Sequence, residues 1–358
     1  MNAAKLLHES GQSLWLDNIT RTLLDSGTLA RYIAEDSVTG LTSNPTIFDK
    51  AITGSADYDD AMRAAAGQPA EDVFFDLAID DLRRAAALFR PRHTETDGVD
   101  GWVSLEVSPR LAHDTASTVA EAKRLHARAD APNLYIKVPG TPEGIPAIEE
   151  LIFAGVPVNV TLLFSPDHYL AAAGAYQRGL ERRREAGLDV RVSSVASLFI
   201  SRWDVAVSGR LPADLADRLG VAVGAQTYRA YRELLATPRW AALEDSGARA
   251  QRLLFASTGT KDPKLPDTFY ISALAAERTI NTMPQNALEA FVDHGDVGGV
   301  LPADGGDADA TVARIAAAGI DVDALADQLQ KEGAESFVAS WTELLERIGS
   351  KAATVTSG

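Results

Sequence analysis

The sequence contains no cysteine, which excludes disulfides, thiolate catalysis and cysteine-based zinc sites. Histidine is scarce as well. The six residues His8, His93, His113, His126, His168 and His294 include no i,i+4 pair and no HExxH spacing, so a helix-borne zinc site of that kind is absent. His113-Asp114 reads as a helix start rather than a ligand pair. Basic charge is in deficit: 34 Lys and Arg against 50 Asp and Glu leave a net charge of -16. That balance argues against non-specific binding to nucleic acid or to an anionic membrane. No apolar run approaches the roughly 20 residues of a membrane-spanning helix. The start, Met-Asn-Ala-Ala-Lys-Leu-Leu-His, lacks the apolar core of a signal peptide, so a cytoplasmic location is expected. No metal or organic cofactor is expected. The acidic stretch Asp304-Gly-Gly-Asp307-Ala-Asp309 lacks the twelve-residue calcium-loop pattern and reads as a lead-in to a helix.

What remains is an ordinary globular composition, 46% hydrophobic and 23% charged over 358 residues. Strand-like runs are expected at 13–17, 40–44, 102–106, 133–138, 156–164, 191–199, 252–258 and 278–283. Helical patterns separate them, including 115–128, 143–154 and 167–186. Thr141-Pro142-Glu143 and Ser165-Pro166-Asp167 each offer a cap, a proline for the first turn and an early acid. Such alternation predicts a parallel sheet with helices outside it. Eight units predict a (β/α)8 barrel, an α/β fold forming a single domain over 1–358. The polar residues at the strand ends fall at 17, 44, 106, 137, 161, 197, 257 and 282, separated by 27, 62, 31, 24, 36, 60 and 25 residues. The two long gaps predict helical insertions at about 49–100 and 204–250, with 70–89 and 213–236 as the inserted helices. The 76 residues after 282 leave room for the last barrel helix and extra C-terminal helices such as 335–348.

Lysine is rare too, 8 residues against 26 arginines, yet Lys137 sits in the apolar run Asn-Leu-Tyr-Ile-Lys-Val-Pro-Gly at 133–140. Desolvation disfavours an ammonium there and favours the neutral, nucleophilic amine. The competing reading is a salt-bridged lysine at a strand end. Its neighbours weigh against that reading as the whole account. Asp17, Asn44, Glu106, Thr161, Ser197 and Ser257 fall near the ends of other strands, and function in a barrel sits at the C-terminal strand ends. Asn159 shares a face with Thr161, and Phe199 with Ser197, because side-chain direction alternates with period 2.

An amine with two carboxylates has a chemical logic. It can add to a ketone, lose water and form an iminium that serves as an electron sink, while the carboxylates move the protons. Arg202 after the sixth strand, with Ser257 and Lys261 in the Ser-Thr-Gly-Thr-Lys loop after the seventh, suits a phosphate group. That loop is not a Walker motif.

These segments resemble the transaldolase family, through motifs in order from about residue 13 to 285. The segments are LWLDNITRTLL, GLTSNPTIF, VSLEVSPRLAHD, NLYIKVPGT, VNVTLLFS and ASLFISRWD. The resemblance implies a Schiff-base lysine at Lys137, catalytic acids at Asp17 and Glu106, and a water-holding Thr161. It also implies substrate contacts from Asn44, Asn159, Ser197 and Phe199, and phosphate binding by Arg202. The family commonly has a second arginine after the seventh strand. Here Ser257 and Lys261 stand in that loop. The length resembles a long subgroup sometimes fused to a sugar-phosphate isomerase, and with the sequence ending at Gly358 no such fusion is expected.

The implied activity is transfer of a dihydroxyacetone unit from sedoheptulose 7-phosphate or fructose 6-phosphate to an aldose phosphate. That is a step of the non-oxidative pentose phosphate pathway. Sugar phosphates are the expected partners, and the chain a monomer or homodimer. One alternative is a fructose-6-phosphate aldolase, whose members tend to carry glutamine and tyrosine where Glu106 and Phe199 stand. Another is a non-catalytic sugar-phosphate binding barrel.

Overall fold

Eight short strands pair in chain order, all parallel, and close into a barrel. They are β1 (Ser13–Asp17), β2 (Val38–Thr42), β3 (Trp102–Glu106), β4 (Leu134–Pro139), β5 (Val158–Leu163), β6 (Ser194–Phe199), β7 (Arg252–Ala256) and β8 (Ile280–Met283). This computed structural model describes residues 2–357. Each expected run overlaps one strand. The second differs most, lying two residues earlier than 40–44. Asn44 belongs to the next helix: its side chain accepts from Ile47 N–H and Pro45 opens the first turn. A capped, proline-started helix ends a strand early because its first N–H groups are already committed.

Alternation along the strands divides the core in two. Leu14, Leu105, Ile136, Val160, Leu198 and Phe255 pack outward among the helices. Trp15, Trp102, Tyr135, Val195, Leu254 and Ile280 form a second cluster. That cluster fills the barrel interior, since Trp15 stacks on Tyr135 with centroids 6.2 Å apart although β1 and β4 are not neighbours. Trp102 lies 4.1 Å beyond, on the same Tyr135 ring. Gly40 makes this possible: a Cβ there would come within 2.5 Å of the Trp15 indole. One step further along each strand, the inward residues become Asp17, Thr42, Lys137, Ser197 and Thr282. Glu106 follows Trp102 by two such steps. An apolar aromatic floor therefore carries a polar layer at the C-terminal mouth.

The helices expected as insertions turn out to be part of the outer ring. Ala70–Glu95 packs on β2 and β3, and Leu219–Leu235 packs on β7. The additional elements flank them: Pro45–Gly54 and Asp59–Ala64 in the first gap, Ser201–Ala206 and Pro238–Glu244 in the second. Length alone could not distinguish a long outer helix from an inserted one. Ser165 caps its helix as expected, and Asp114 caps Thr115–Ala129. Thr141 accepts from Gly144 N–H, so the helix after it begins at Gly144. Asp307 immediately precedes the helix Ala308–Ala317, while Asp309 pairs with Arg229 at 2.7 Å.

The last helix, Val322–Ser357, has 36 residues and so runs about 54 Å. It crosses the C-terminal mouth. Gln330 Nε2 donates to the carbonyls of Gly140 and Leu162, at 3.0 and 2.9 Å. Beyond the mouth, Trp341 packs edge-on against Phe74 at 4.8 Å, and Arg347 pairs with Asp49 at 3.0 Å. Among the described residues, no helix is long and apolar enough to cross a membrane.

Candidate active site

A cavity of about 570 Å³ opens at the C-terminal mouth. Nine of the eleven residues singled out from the sequence line it: Asp17, Asn44, Lys137, Thr161, Ser197, Phe199, Arg202, Ser257 and Lys261. Glu106 and Asn159 lie behind this surface.

Glu106 is the partner of the lysine. Lys137 Nζ is 3.1 Å from Glu106 Oε2 and donates a second bond, 3.3 Å, to the Ser43 carbonyl. Only 5% of Lys137 and 8% of Glu106 are exposed, so this is a buried ion pair. The competing sequence reading, a salt-bridged lysine, therefore describes the resting contact. Burial raises the Glu106 carboxyl above its ordinary value. The Lys137 charge and its hydrogen bond pull the value back, and the negative charge of Asp17 pushes it up again. Asp17 is also raised, first by burial, against the opposing pull of Lys137, the Thr42 hydroxyl and Lys261. Both acids thus bind a proton more readily than an ordinary carboxylate, which suits each to take one up and later give it back.

Thr42 was not among the residues expected at the site. Its hydroxyl donates to Asp17 Oδ1 at 2.7 Å, so Thr282, 2.6 Å away, donates in turn to Thr42. The signal was present: Thr42 has the same parity as Asn44 and is the last residue of the true strand. Asn159 behaves differently from expectation. Its Nδ2 donates to Ser104 Oγ at 3.1 Å and its Oδ1 accepts from Ser197 Oγ at 2.8 Å. It is fully buried and orients Ser197 rather than facing the cavity. Thr161 Oγ1 is buried with no hydrogen-bond partner among the described residues. It lies within a break in register between Val160 and Leu163, where Leu162 adopts a positive φ of 62°. Such a backbone is costly for a branched residue, and here the Gln330 bond to the Leu162 carbonyl holds it.

The cationic end of the cavity is formed by two loops. Arg202 sits on the short helix Ser201–Ala206, half-buried and without an ion-pair partner among the described residues. Asp204, two residues on, anchors that helix by accepting from Leu219 N–H at 2.9 Å and from the Tyr270 hydroxyl at 2.8 Å. Burial outweighs these donors and raises Asp204 to about 6. Ser257 has a φ of 56°, and its hydroxyl lies 2.9 Å from that of Ser201, which ties the two loops together. Lys261 is exposed at the rim. No local pattern pointed to Phe337 from the last helix, which lines the cavity with its ring centroid 5.6 Å from Lys137 Nζ.

A buried amine held by a carboxylate, with a second acid nearby and cations at the rim that have no ion-pair partner among the described residues, is equipped for amine–carbonyl chemistry on an anionic substrate. The class is that of (β/α)8 barrels with a buried, carboxylate-paired lysine at the C-terminal mouth. Sequence comparison makes it specific. The chain belongs to the transaldolase/fructose-6-phosphate aldolase family, which it matches over residues 14–348. It is 48% identical to a transaldolase of Acidothermus cellulolyticus, over 94% of each chain. It is 45% identical to that of Thermobifida fusca, over 98% of each. A transaldolase of Thiobacillus denitrificans is also 45% identical, over 98% of this chain and all of its own.

The buried pair makes a prediction about stability. The folded value of Glu106 lies above its ordinary 4.5. The stability linked to its protonation is therefore fully present below the unfolded value and lost as pH rises through the folded one. Replacing Lys137 by Met removes the main opposing influence and lifts Glu106 and Asp17 further. Lys137→Met should cost about 3–5 kcal/mol at pH 8, and much less as pH falls towards the ordinary carboxylate range. Denaturant midpoints across that span measure it. A loss independent of pH would contradict the coupling.

Proposed function

We propose that the chain is a transaldolase acting on sugar phosphates, a transferase whose covalent carrier is Lys137. The observation that carries this reading is the carboxylate of Glu106 against the Lys137 amine, 3.1 Å apart. In that contact Glu106 accepts a proton from Nζ, and the neutral amine adds to the ketone carbon of a ketose phosphate. Glu106 returns a proton to the carbinolamine hydroxyl, with Thr161 Oγ1 holding the water that relays it. Loss of that hydroxyl as water leaves an iminium. Asp17 removes the proton of the hydroxyl adjacent to the scissile bond. The carbon–carbon bond breaks, its electron pair passes to the iminium, and an aldose phosphate departs. The three-carbon enamine remains on Lys137 until a second aldose phosphate accepts it.

Asn44 and Ser197 are the groups we assign to the substrate hydroxyls, with Asn159 orienting Ser197. Phe199 forms an apolar wall. Arg202 is assigned to the phosphate, supported by its lack of a competing carboxylate among the described residues, with Ser257 and Lys261 beside it. We read residues 1–358 as one barrel domain, working in the cytoplasm as a monomer or homodimer. A fructose-6-phosphate aldolase would release dihydroxyacetone instead of transferring it. Glutamate and phenylalanine at 106 and 199 favour transfer.

Borohydride reduction in the presence of fructose 6-phosphate should add a three-carbon unit to Lys137, found by peptide mass mapping, and Lys137→Ala should abolish both adduct and turnover. An unmodified Lys137, or activity surviving in Lys137→Ala, would remove the Schiff base from the account. Cleavage of fructose 6-phosphate should depend strongly on added erythrose 4-phosphate. Fast release of dihydroxyacetone without it would favour the aldolase. Arg202→Ala should raise KM for the phosphorylated donor by roughly 10- to 100-fold, the value of a charge-assisted hydrogen bond of about 1.5–3 kcal/mol. An unchanged KM would move the phosphate elsewhere.

A further inference from the structure

Among the described residues, Phe337 is the one aromatic side chain in the cavity that comes from outside the strands and their following loops. Its ring lines the same space as Lys137 and Thr161. It stands 5.6 Å from Lys137 Nζ and meets Phe199 edge-on at 6.4 Å. Phe199 in turn packs on Phe164 at 5.3 Å. The helix that carries it is held on both sides of the mouth. On one side are Gln330 on the Gly140 and Leu162 carbonyls and a 3.1 Å contact between Asp327 and His168. On the other, Thr46 Oγ1 donates to Ser340 Oγ at 3.2 Å, Arg110 Nη2 donates to Thr342 Oγ1 at 3.2 Å, and Lys351 pairs with Asp59 at 2.9 Å. Gly333 packs closely on Leu162, where a Cβ would come within 3.0 Å of its methyl group. The ring is therefore fixed in position and is not part of a swinging lid.

We propose that Phe337 is a specificity-determining residue. It shields the three-carbon enamine on Lys137 from water, so that the enamine carbon meets an aldehyde before it meets a proton. This rests on the transaldolase reading above. The two fates differ in one bond. In transfer, the enamine carbon attacks the acceptor's carbonyl carbon, a new carbon–carbon bond forms, and the carbonyl oxygen takes a proton. In the competing route the same carbon takes a proton from water. Water then adds to the resulting iminium, the carbon–nitrogen bond breaks, and dihydroxyacetone leaves with the Lys137 amine restored. An apolar wall over the enamine carbon suppresses its protonation, while the water that hydrolyses the iminium and releases the product at the end of either route acts at the neighbouring carbon. A ring anchored by a helix on two sides costs little further entropy to hold there.

The test is the ratio of dihydroxyacetone released from fructose 6-phosphate without acceptor to transfer onto erythrose 4-phosphate. Phe337→Ala should raise this ratio roughly tenfold, the scale on which loss of apolar bulk shifts a competition between reaction routes. Phe337→Leu, which keeps apolar cover without the aromatic ring, should stay near the unaltered ratio. An unchanged ratio in the Ala variant overturns the proposal, as does an equal rise in both variants. Borohydride trapping separates this from the function itself. Failure to trap an adduct on Lys137 in the unaltered chain would sink the transaldolase reading. A trapped adduct with an unchanged ratio would sink only the role of Phe337.

Discussion

A lysine and a glutamate lie buried at the C-terminal mouth of an eight-stranded barrel, their charged atoms 3.1 Å apart. Each alone would be expensive to bury. Together they form a pair whose attraction offsets desolvation without making it a strong source of stability. An apolar pair of similar volume could serve the fold as well. The pair is better explained by what it permits. The amine is poised next to an acceptor for its proton, and burial and the charge of Asp17 raise that acceptor's affinity for it. The proposed nucleophile and its proposed proton carrier are one contact.

The rest of the site follows from holding that contact in place. The stacked rings of Trp15, Tyr135 and Trp102 close the barrel beneath it, and Gly40 leaves space for the indole. Thr282 and Thr42 fix Asp17 through a chain of hydroxyls. Asn159 spends both ends of its amide on Ser104 and Ser197. Asp204 steadies the helix that presents Arg202. The C-terminal helix ties the irregular backbone at Leu162 and lowers an aromatic ring onto the amine. Most of these groups would never touch a substrate, yet each limits the freedom of one that would.

Much of this was legible in the sequence because a barrel writes its site with period 2. A lysine, an aspartate and a glutamate in short apolar runs betray inward-facing positions near strand ends, and chain order then gives strand order. Depth was harder to read. Asn159 has the right parity, but parity cannot say whether an amide reaches the cavity or is consumed by its neighbours. Thr42 was masked by an expected strand that ran on to Asn44, a residue committed to capping a helix. Outer helices in the long gaps looked like insertions because gap length carries no information on where a helix packs. Phe337 had no local signal at all. It lies 200 positions after Lys137, on a helix whose pattern marks a buried face without saying what that face meets.

The central claim is that Lys137 becomes the covalent carrier of a three-carbon unit by handing its proton to Glu106. The most direct measurement is a crystal structure after brief exposure to fructose 6-phosphate at low temperature. The account predicts continuous density from Lys137 Nζ to the central carbon of a three-carbon fragment lying against Phe337, with the original contact to Glu106 altered. A sugar phosphate bound intact and non-covalently, with Lys137 still paired to Glu106, or an adduct on a different lysine, would contradict it.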